Sequence, residues 1–393
     1  MTRNDPRVVQ VTSGRFHQFD LARQLEKRGL LAAIYTGYPR WKLRGEGLPA
    51  GKIRTWPWMQ VPFMAGGGRG LRAIGAEEVW RHWNRVLIDR HAARTLDPGT
   101  DVLVAMSGHG SNCGRKVQAG DGSWICVRGS THVRHQERVL RDEYSKWGLT
   151  YSPLPASVVA REEFEYAGCD RIAVPSRQVW DTFVANGLPA ERLALVPYGV
   201  DLTRFQPVDS PVSGEFQILF AGGISVRKGV GHLIEAFRRV RHPRKKLILA
   251  GTAGPDARAL LRRAPEGVVL QGHCSQPRLR ELMSRSHVFA LCSIEEGMAN
   301  VLGQALACGC PVIATAATGA ADLFEDGDAG YILAQPDPGL IAQRLEAFAQ
   351  DPELRRRMSE RALERVRSIG GWDRYGDIME ALIRSLWRPR NRA

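Results

Sequence analysis

Residues 293–315 read SIEEGMANVLGQALACGCPVIAT. A polar loop carrying Glu295, Glu296 and Gly297 feeds the apolar, alanine-rich run Val301–Ala307, which the helical period supports. Cys308, Gly309, Cys310 and Pro311 break that run, and Val312–Thr315 follows as a short buried strand. The order is loop, helix, glycine stop, strand. Glu296 is expected at the helix start, where free N–H groups of Met298, Ala299 and Asn300 would favour an anion. Gln304 comes about two turns later, the one amide in an apolar run. A carboxylate at the mouth and an amide inside suit sugar hydroxyls beside a phosphate. An ordinary helix–strand unit with a solvated carboxylate fits the same residues.

Working outward, ILFAGGISVRKGVGHLIEAF (218–237) is a strand, a Gly222-Gly223 turn, a basic loop with Arg227 and Lys228, and a helix from Val230. Glycines let backbone approach a ligand closely, and two cations at a helix start suit a diphosphate. The run matches neither the GxGxxG nor the GxxxxGK[ST] pattern, which argues against a dehydrogenase or an ATPase. Leu247–Ala250, Val268–Gln271 and Val288–Leu291 read as further strands. The Asp326-Gly327-Asp328 triplet reads as a turn rather than a metal pair.

The N-terminal half opens with the strand Val8–Val11, a loop, a helical pattern through Leu21, Leu25 and Arg28, a stop at Gly29, and the strand Leu30–Tyr35. Such alternation predicts a doubly wound parallel sheet, with ligands beyond the carboxyl ends of its strands. Ser13 and Gly14 are therefore placed to line a cleft. The strand Trp124–Val127 leads to His132, which could donate to a sugar hydroxyl or a phosphate, or be structural. Residues 52–72 mix Trp56, Trp58, Phe63 and Met64 with Lys52, Arg54, Arg69 and Arg72. They read as a loop packed on its domain, with a mobile Gly66–Gly68 run, or as a membrane-facing element. A helix follows over 77–94, with Trp80, Trp83 and Leu87 on one face.

The 393 residues are enough for two domains, and 44% hydrophobic with 24% charged residues is usual for a globular chain. No apolar run is long enough to span a bilayer, and MTRNDPRVVQVTSG lacks the apolar segment of a signal peptide. Seven cysteines without a CxxC pair suggest reduced thiols and a cytoplasmic protein, with no metal site. The net charge is +14, with an excess of nine among residues 1–200. That excess suits an anionic membrane surface or a phosphorylated substrate; no motif points to nucleic acid.

Together FAGGISVRKG (220–229), residues 292–315, TGAADLFEDGDAGYIL (318–333), VPSRQ and VPYGVDLTRF (174–205) and GWDRYGDIM (371–379) resemble glycosyltransferase family 4. These are retaining, group 1 enzymes with the GT-B fold: two Rossmann-like doubly wound α/β domains facing across a cleft. The resemblance implies an acceptor-side domain over 1–205 and a donor-binding domain over 206–371. A C-terminal helix over about 372–388 would return to the first domain. It implies that Glu296 holds donor-sugar hydroxyls, Lys228 the diphosphate and His132 the donor sugar, these three being the catalytic candidates. Donor contacts are implied at Gly222, Gly223, Arg227, Gly297, Met298, Ala299, Asn300, Val301 and Gln304, and cleft contacts at Ser13 and Gly14. Gln304 stands where the family carries a ribose-binding glutamate, and Gly223 where it carries an arginine that Arg227 would replace. The expected function is transfer of a sugar from a UDP- or GDP-type donor to a glycan or lipid-linked acceptor in surface polysaccharide or glycolipid synthesis. No cofactor is expected, and the address is cytoplasmic or at the inner membrane face. The two departures also fit a GT-B protein that is not a transferase, epimerase-like or a catalytically idle sugar-nucleotide binder.

Overall fold

Strands that are covered by helices on both faces are apolar throughout, and the runs above behave so. The computed structural model describes residues 5–73 and 75–389, without the side chains of Phe16, Arg69, Arg72 and Ala73. The opening residues 1–4 of the leader reading, and the charges of Arg69 and Arg72, therefore lie outside the described residues.

The first sheet holds β1 (Val8–Thr12), β2 (Leu31–Thr36), β3 (Ile53–Thr55), β4 (Val102–Met106), β5 (Ser123–Val127), β6 (Arg171–Val174) and β7 (Leu193–Leu195). The second holds β8 (Phe216–Ala221), β9 (Lys245–Ala250), β10 (Val268–Gly272), β11 (Val288–Leu291), β12 (Val312–Thr315) and β13 (Gly330–Leu333). The orders are β3-β2-β1-β4-β5-β6-β7 and β10-β9-β8-β11-β12-β13. Every pairing is parallel, so both sheets are doubly wound. Strand order reverses between β1 and β4, and again between β8 and β11. At such a reversal the two crossovers leave on opposite faces and open a crevice beyond the strand ends. Four loops therefore bear on one cleft: those after β1, β4, β8 and β11.

The last helix, Trp372–Leu386, lies against the first, Phe16–Lys27. Lys27 reaches Asp373 at 2.9 Å, and Arg28 pairs with Asp377 and, at 3.0 Å, with Glu380. Gly376 permits this: a Cβ there would fall 2.7 Å from the Arg28 guanidinium and 2.8 Å from Gln24 Cβ.

Two expectations change. The Gly66–Gly68 run is a kink between helical turns rather than a loop: Gln60–Pro62 and a turn over Phe63–Gly67 are broken at Gly66, φ +118°, before Gly68–Ala73. In the helix Glu77–Thr95 the buried face carries Asn84, Ile88 and Asp89, while Trp83 is 48% exposed. Polar partners below this helix, described next, draw its polar side inward.

Candidate active site

A cavity of about 930 Å³ opens between the two sheets. Ser13 and Gly14 from the β1 loop, and Ser107 and His109 from the β4 loop, form part of its first wall. Arg128, Gly129 and Ser130 continue that wall beyond β5, and Arg227 and Glu296 face it from the second sheet.

On the second side, Gly222 closes the turn after β8 at φ +142°, a conformation glycine adopts without strain. Nothing lies within 4 Å of where a Gly223 side chain would start, so a larger residue would fit there. Lys228 pairs with Glu296, and both side chains are 15% exposed. Burial and the Arg227 charge push the Lys228 ammonium down to about 7, with Glu295 opposing them. Contact with Glu296 favours the charged form as well.

Arg227 donates to the Glu295 carboxylate at 3.0 Å and to the Glu295 carbonyl at 3.2 Å. Glu295 is fully buried, and it is the hub between the sheets. Ser130 Oγ donates to it at 2.5 Å, Thr131 Oγ1 at 2.7 Å and the Thr131 N–H at 3.1 Å. Burial alone would raise its pKa, but Arg227 and these donors hold it below the usual carboxylate range. Nearby, Ser176 Oγ donates to the Gly297 carbonyl at 2.7 Å. A Cβ on Gly297 would lie 2.0 Å from the Gly129 carbonyl oxygen, so glycine is what lets the two walls meet.

The first wall is held by buried acids. Glu165 accepts the N–H groups of Gly108, Gly110 and Ser111 at 2.6, 2.8 and 2.9 Å, and the Ser111 hydroxyl at 2.7 Å. Burial pushes it up to about 7, yet four donors aimed at one carboxylate require acceptor oxygens. Asp89 caps the next turn through the N–H groups of Asn112 and Cys113, both at 2.9 Å, and binds Arg161 at 2.5 Å. The loop so fixed carries His109, whose Nε2 accepts the Ser13 N–H at 3.0 Å. Burial and Arg85 push that imidazole down to about 4, which leaves it neutral and able to accept.

Several expected contacts are placed elsewhere. His132 is 3% exposed, wedged against Tyr166 and Phe183, and outside the cavity lining. Its Nδ1 accepts the Arg134 N–H at 3.3 Å, a helix cap that turns the ring inward. Arg128, four residues earlier, occupies the wall instead, bound to Glu162 at 2.6 Å. The helix begins at Asn300, four residues after Glu296 rather than at it. Ala299 N–H is consumed by the Thr318 carbonyl at 3.0 Å, and Met298 is 6% exposed with Sδ taking the Tyr198 N–H at 3.3 Å. Val301 is half-buried and outside the lining of the main cavity. Asn300 and Gln304 line a separate cavity of about 270 Å³ with His17, Asp201, Arg204 and Trp372. The sequence reading missed Arg128, His109 and Glu162; a cation or histidine just past a strand end was the available signal.

The fold and this cleft define a GT-B protein. Over nearly its full length the chain superposes on Anabaena HepE, solved with UDP and glucose, at a TM-score of 0.71 and 14% identity, covering 97% of this chain and all of that one. The lipopolysaccharide glycosyltransferase WaaG gives a TM-score of 0.67 at 17% identity, covering 96% and 99%. A family model described as Glycosyl transferases group 1 matches residues 204–365, and that region belongs to this family. Among curated relatives, the D-inositol 3-phosphate glycosyltransferase of Thermomonospora curvata is 28% identical over 257 residues, 56% of this chain and 58% of that protein. The putative colanic acid glycosyltransferase WcaL of Escherichia coli is 29% identical over 195 residues, 46% and 48% of the two chains. The chain thus matches less than two thirds of the length of these relatives.

Proposed function

We propose that the protein is a retaining glycosyltransferase that moves a sugar from a nucleotide-diphosphate donor to a glycan or lipid-linked acceptor. Residues 1–205 would hold the acceptor and residues 206–371 the donor. The observation that carries this is that Arg227 and Glu296 line the cleft opposite the Ser13–Gly14 loop, with Lys228, itself outside the lining, bound to Glu296.

In this reading the diphosphate displaces Glu296 from Lys228, and Glu296 turns to hydroxyls of the donor sugar. The bond from the sugar's anomeric carbon to the diphosphate oxygen breaks, and the departing oxygens gain negative charge. Lys228, already fixed and largely dry, stabilises that charge more than it stabilises the bound donor. The acceptor hydroxyl attacks from the side the diphosphate leaves, and its proton passes to the departing phosphate oxygen. UDP bound to HepE supports a uridine-type donor. No helix among the described residues is long and apolar enough to cross a membrane. Trp41, Trp58 and Trp83 are 59, 70 and 48% exposed on the acceptor side, which supports acceptor capture at a membrane surface in glycolipid or polysaccharide assembly.

The test is nucleotide release from a panel of UDP- and GDP-sugars, with and without glycan and lipid-linked acceptors. Acceptor-dependent release of one nucleotide is expected; donor binding without release under any acceptor would favour the idle binder.

A pH prediction separates the two forces on Lys228. In Glu296→Gln the ammonium faces burial and Arg227 without its carboxylate partner. With Glu296 in place the ammonium is already pushed down to about 7, so in the variant its proton is lost at lower pH. The fall of nucleotide affinity with rising pH should therefore be centred near pH 7 in the wild type and at lower pH in the variant, each by on the order of tenfold. Coincident pH profiles in calorimetric titrations would mean that Lys228 is not the group that meets the diphosphate.

A further inference from the structure

On the acceptor side the helix Glu77–Thr95 presents Trp80, Arg81, Asn84 and Arg85 to the cleft, one stripe at three- and four-residue spacing. The two arginines differ. Arg81 is bound by Glu77 at 2.6 Å and lies over the Phe63 ring at 5.1 Å, so its charge is met. Arg85 makes no hydrogen bond to a carboxylate among the described residues: Glu78 is 3.8 Å away, and Glu162, which feels the Arg85 charge, is bound instead to Arg128 at 2.6 Å. The Arg85 side chain is 22% exposed, and Gly108 makes room for its stem: a Cβ there would lie 3.0 Å from Arg85 Cδ. A guanidinium held in a cleft with its donors unmatched is suited to a planar or tetrahedral oxyanion.

Beside it, Asn84 is 5% exposed, and its amide N–H donates to Gln60 Oε1 at 3.1 Å. Its carbonyl oxygen is buried and has no partner among the described residues. A buried acceptor left empty costs stability unless something fills it, and a ligand hydroxyl would. The two groups sit one residue apart on the same wall.

We infer that the acceptor half of the cleft contains an anion subsite, with Arg85 taking a phosphate group and Asn84 a neighbouring hydroxyl. This rests on the transferase reading for its location, and it narrows the acceptor to a polyol or sugar that carries a phosphate. The phosphate could be that of a soluble ester or of a lipid headgroup.

The full-length protein is titrated calorimetrically with glycerol 3-phosphate, and with glycerol as a control. Saturable binding of the phosphate alone is expected. It should weaken by on the order of tenfold or more in Arg85→Ala and survive in Lys228→Ala. Arg85→Gln, nearly the same size, should behave as Arg85→Ala if the charge and not the packing matters. Affinity unchanged in both Arg85 variants, or lost only in Lys228→Ala, would place the anion on the donor wall and overturn the subsite. Vesicles of phosphatidic acid against phosphatidylcholine then separate the sources: a lipid source makes phosphatidic acid binding depend on Arg85. A protein that binds glycerol 3-phosphate through Arg85 but no nucleotide sugar would keep this subsite and lose the transferase reading.

Discussion

Replacing Lys228 with alanine should cut donor-dependent nucleotide release by on the order of a thousandfold while both sheets stay folded. The size of the effect follows from what cannot step in. Arg227 is the other cation of that loop, but its Nη1 holds the carboxylate and carbonyl of Glu295, with Glu296 3.7 Å away. Turning that nitrogen to the diphosphate would strip a fully buried carboxylate of its counter-charge. Lys228 is bound to Glu296, a partner that can itself turn to the donor. Stability is expected to fall less than for a fully buried pair, because Glu296 is 15% exposed and keeps Arg227 3.7 Å away as a counter-charge. Single-turnover release with saturating donor, beside a thermal melt, checks both halves. Activity within fivefold of wild type would remove Lys228 from the transfer step.

Glu295→Ala should do the converse, loosening the closed arrangement and destabilising the protein by about 3 kcal/mol. The acid is fully buried, and its loss leaves Thr131 and Ser130 without their acceptor and Arg227 without its partner. Arg227 is one third exposed, which is why the figure sits at the low end for a broken buried pair. Denaturant unfolding gives the energy, and a larger radius of gyration in solution scattering gives the opening. The pH dependence has a definite sign. A carboxylate whose folded pKa is depressed contributes its stability above the unfolded value of about 4.5, and loses it as pH falls through the folded value. The gap between wild type and Glu295→Gln should be full at pH 7 and narrow steadily below pH 4.5. A gap that stays constant into acid would mean that the charge of Glu295 does not join the walls.

Most of the architecture was legible because parallel strands buried on both faces write themselves as short apolar runs. Val288–Leu291 and Val312–Thr315 are found where the sequence put them, as is the helix start at Val230. Of the site, the sequence's charge signals led to Glu296, which lines the cleft, and to Lys228, which is bound to it. Periodicity says which residues share a face, but not which face a single histidine takes when it caps a helix. His132 and Arg128 were thus exchanged, the cap pulling the ring into an aromatic nest while the strand-end arginine kept the wall. Gln304 is placed elsewhere for another reason. It does lie two turns from Glu296 in the chain, but the helix starts late, and the amide looks onto the strap 199–205 rather than onto the main cleft. The acids that brace the first wall, Asp89 and Glu165, carry no local pattern, because their partners are backbone groups far off in sequence.

The clasp between the first and last helices sets an order of events during synthesis. Lys27 and Asp373 meet across 346 positions of chain, and Arg28 waits for Asp377 and Glu380. The first sheet is made early on the ribosome, yet the apolar side of Trp372–Leu386, with Tyr375, Met379 and Ile383, covers it only after the whole second sheet has emerged. Until then a nascent chain exposes a bare groove beside its first helix, and ordering it carries the entropy of a very long loop closure. Chaperone dependence and aggregation in chains stopped before residue 372 are therefore written into the topology itself.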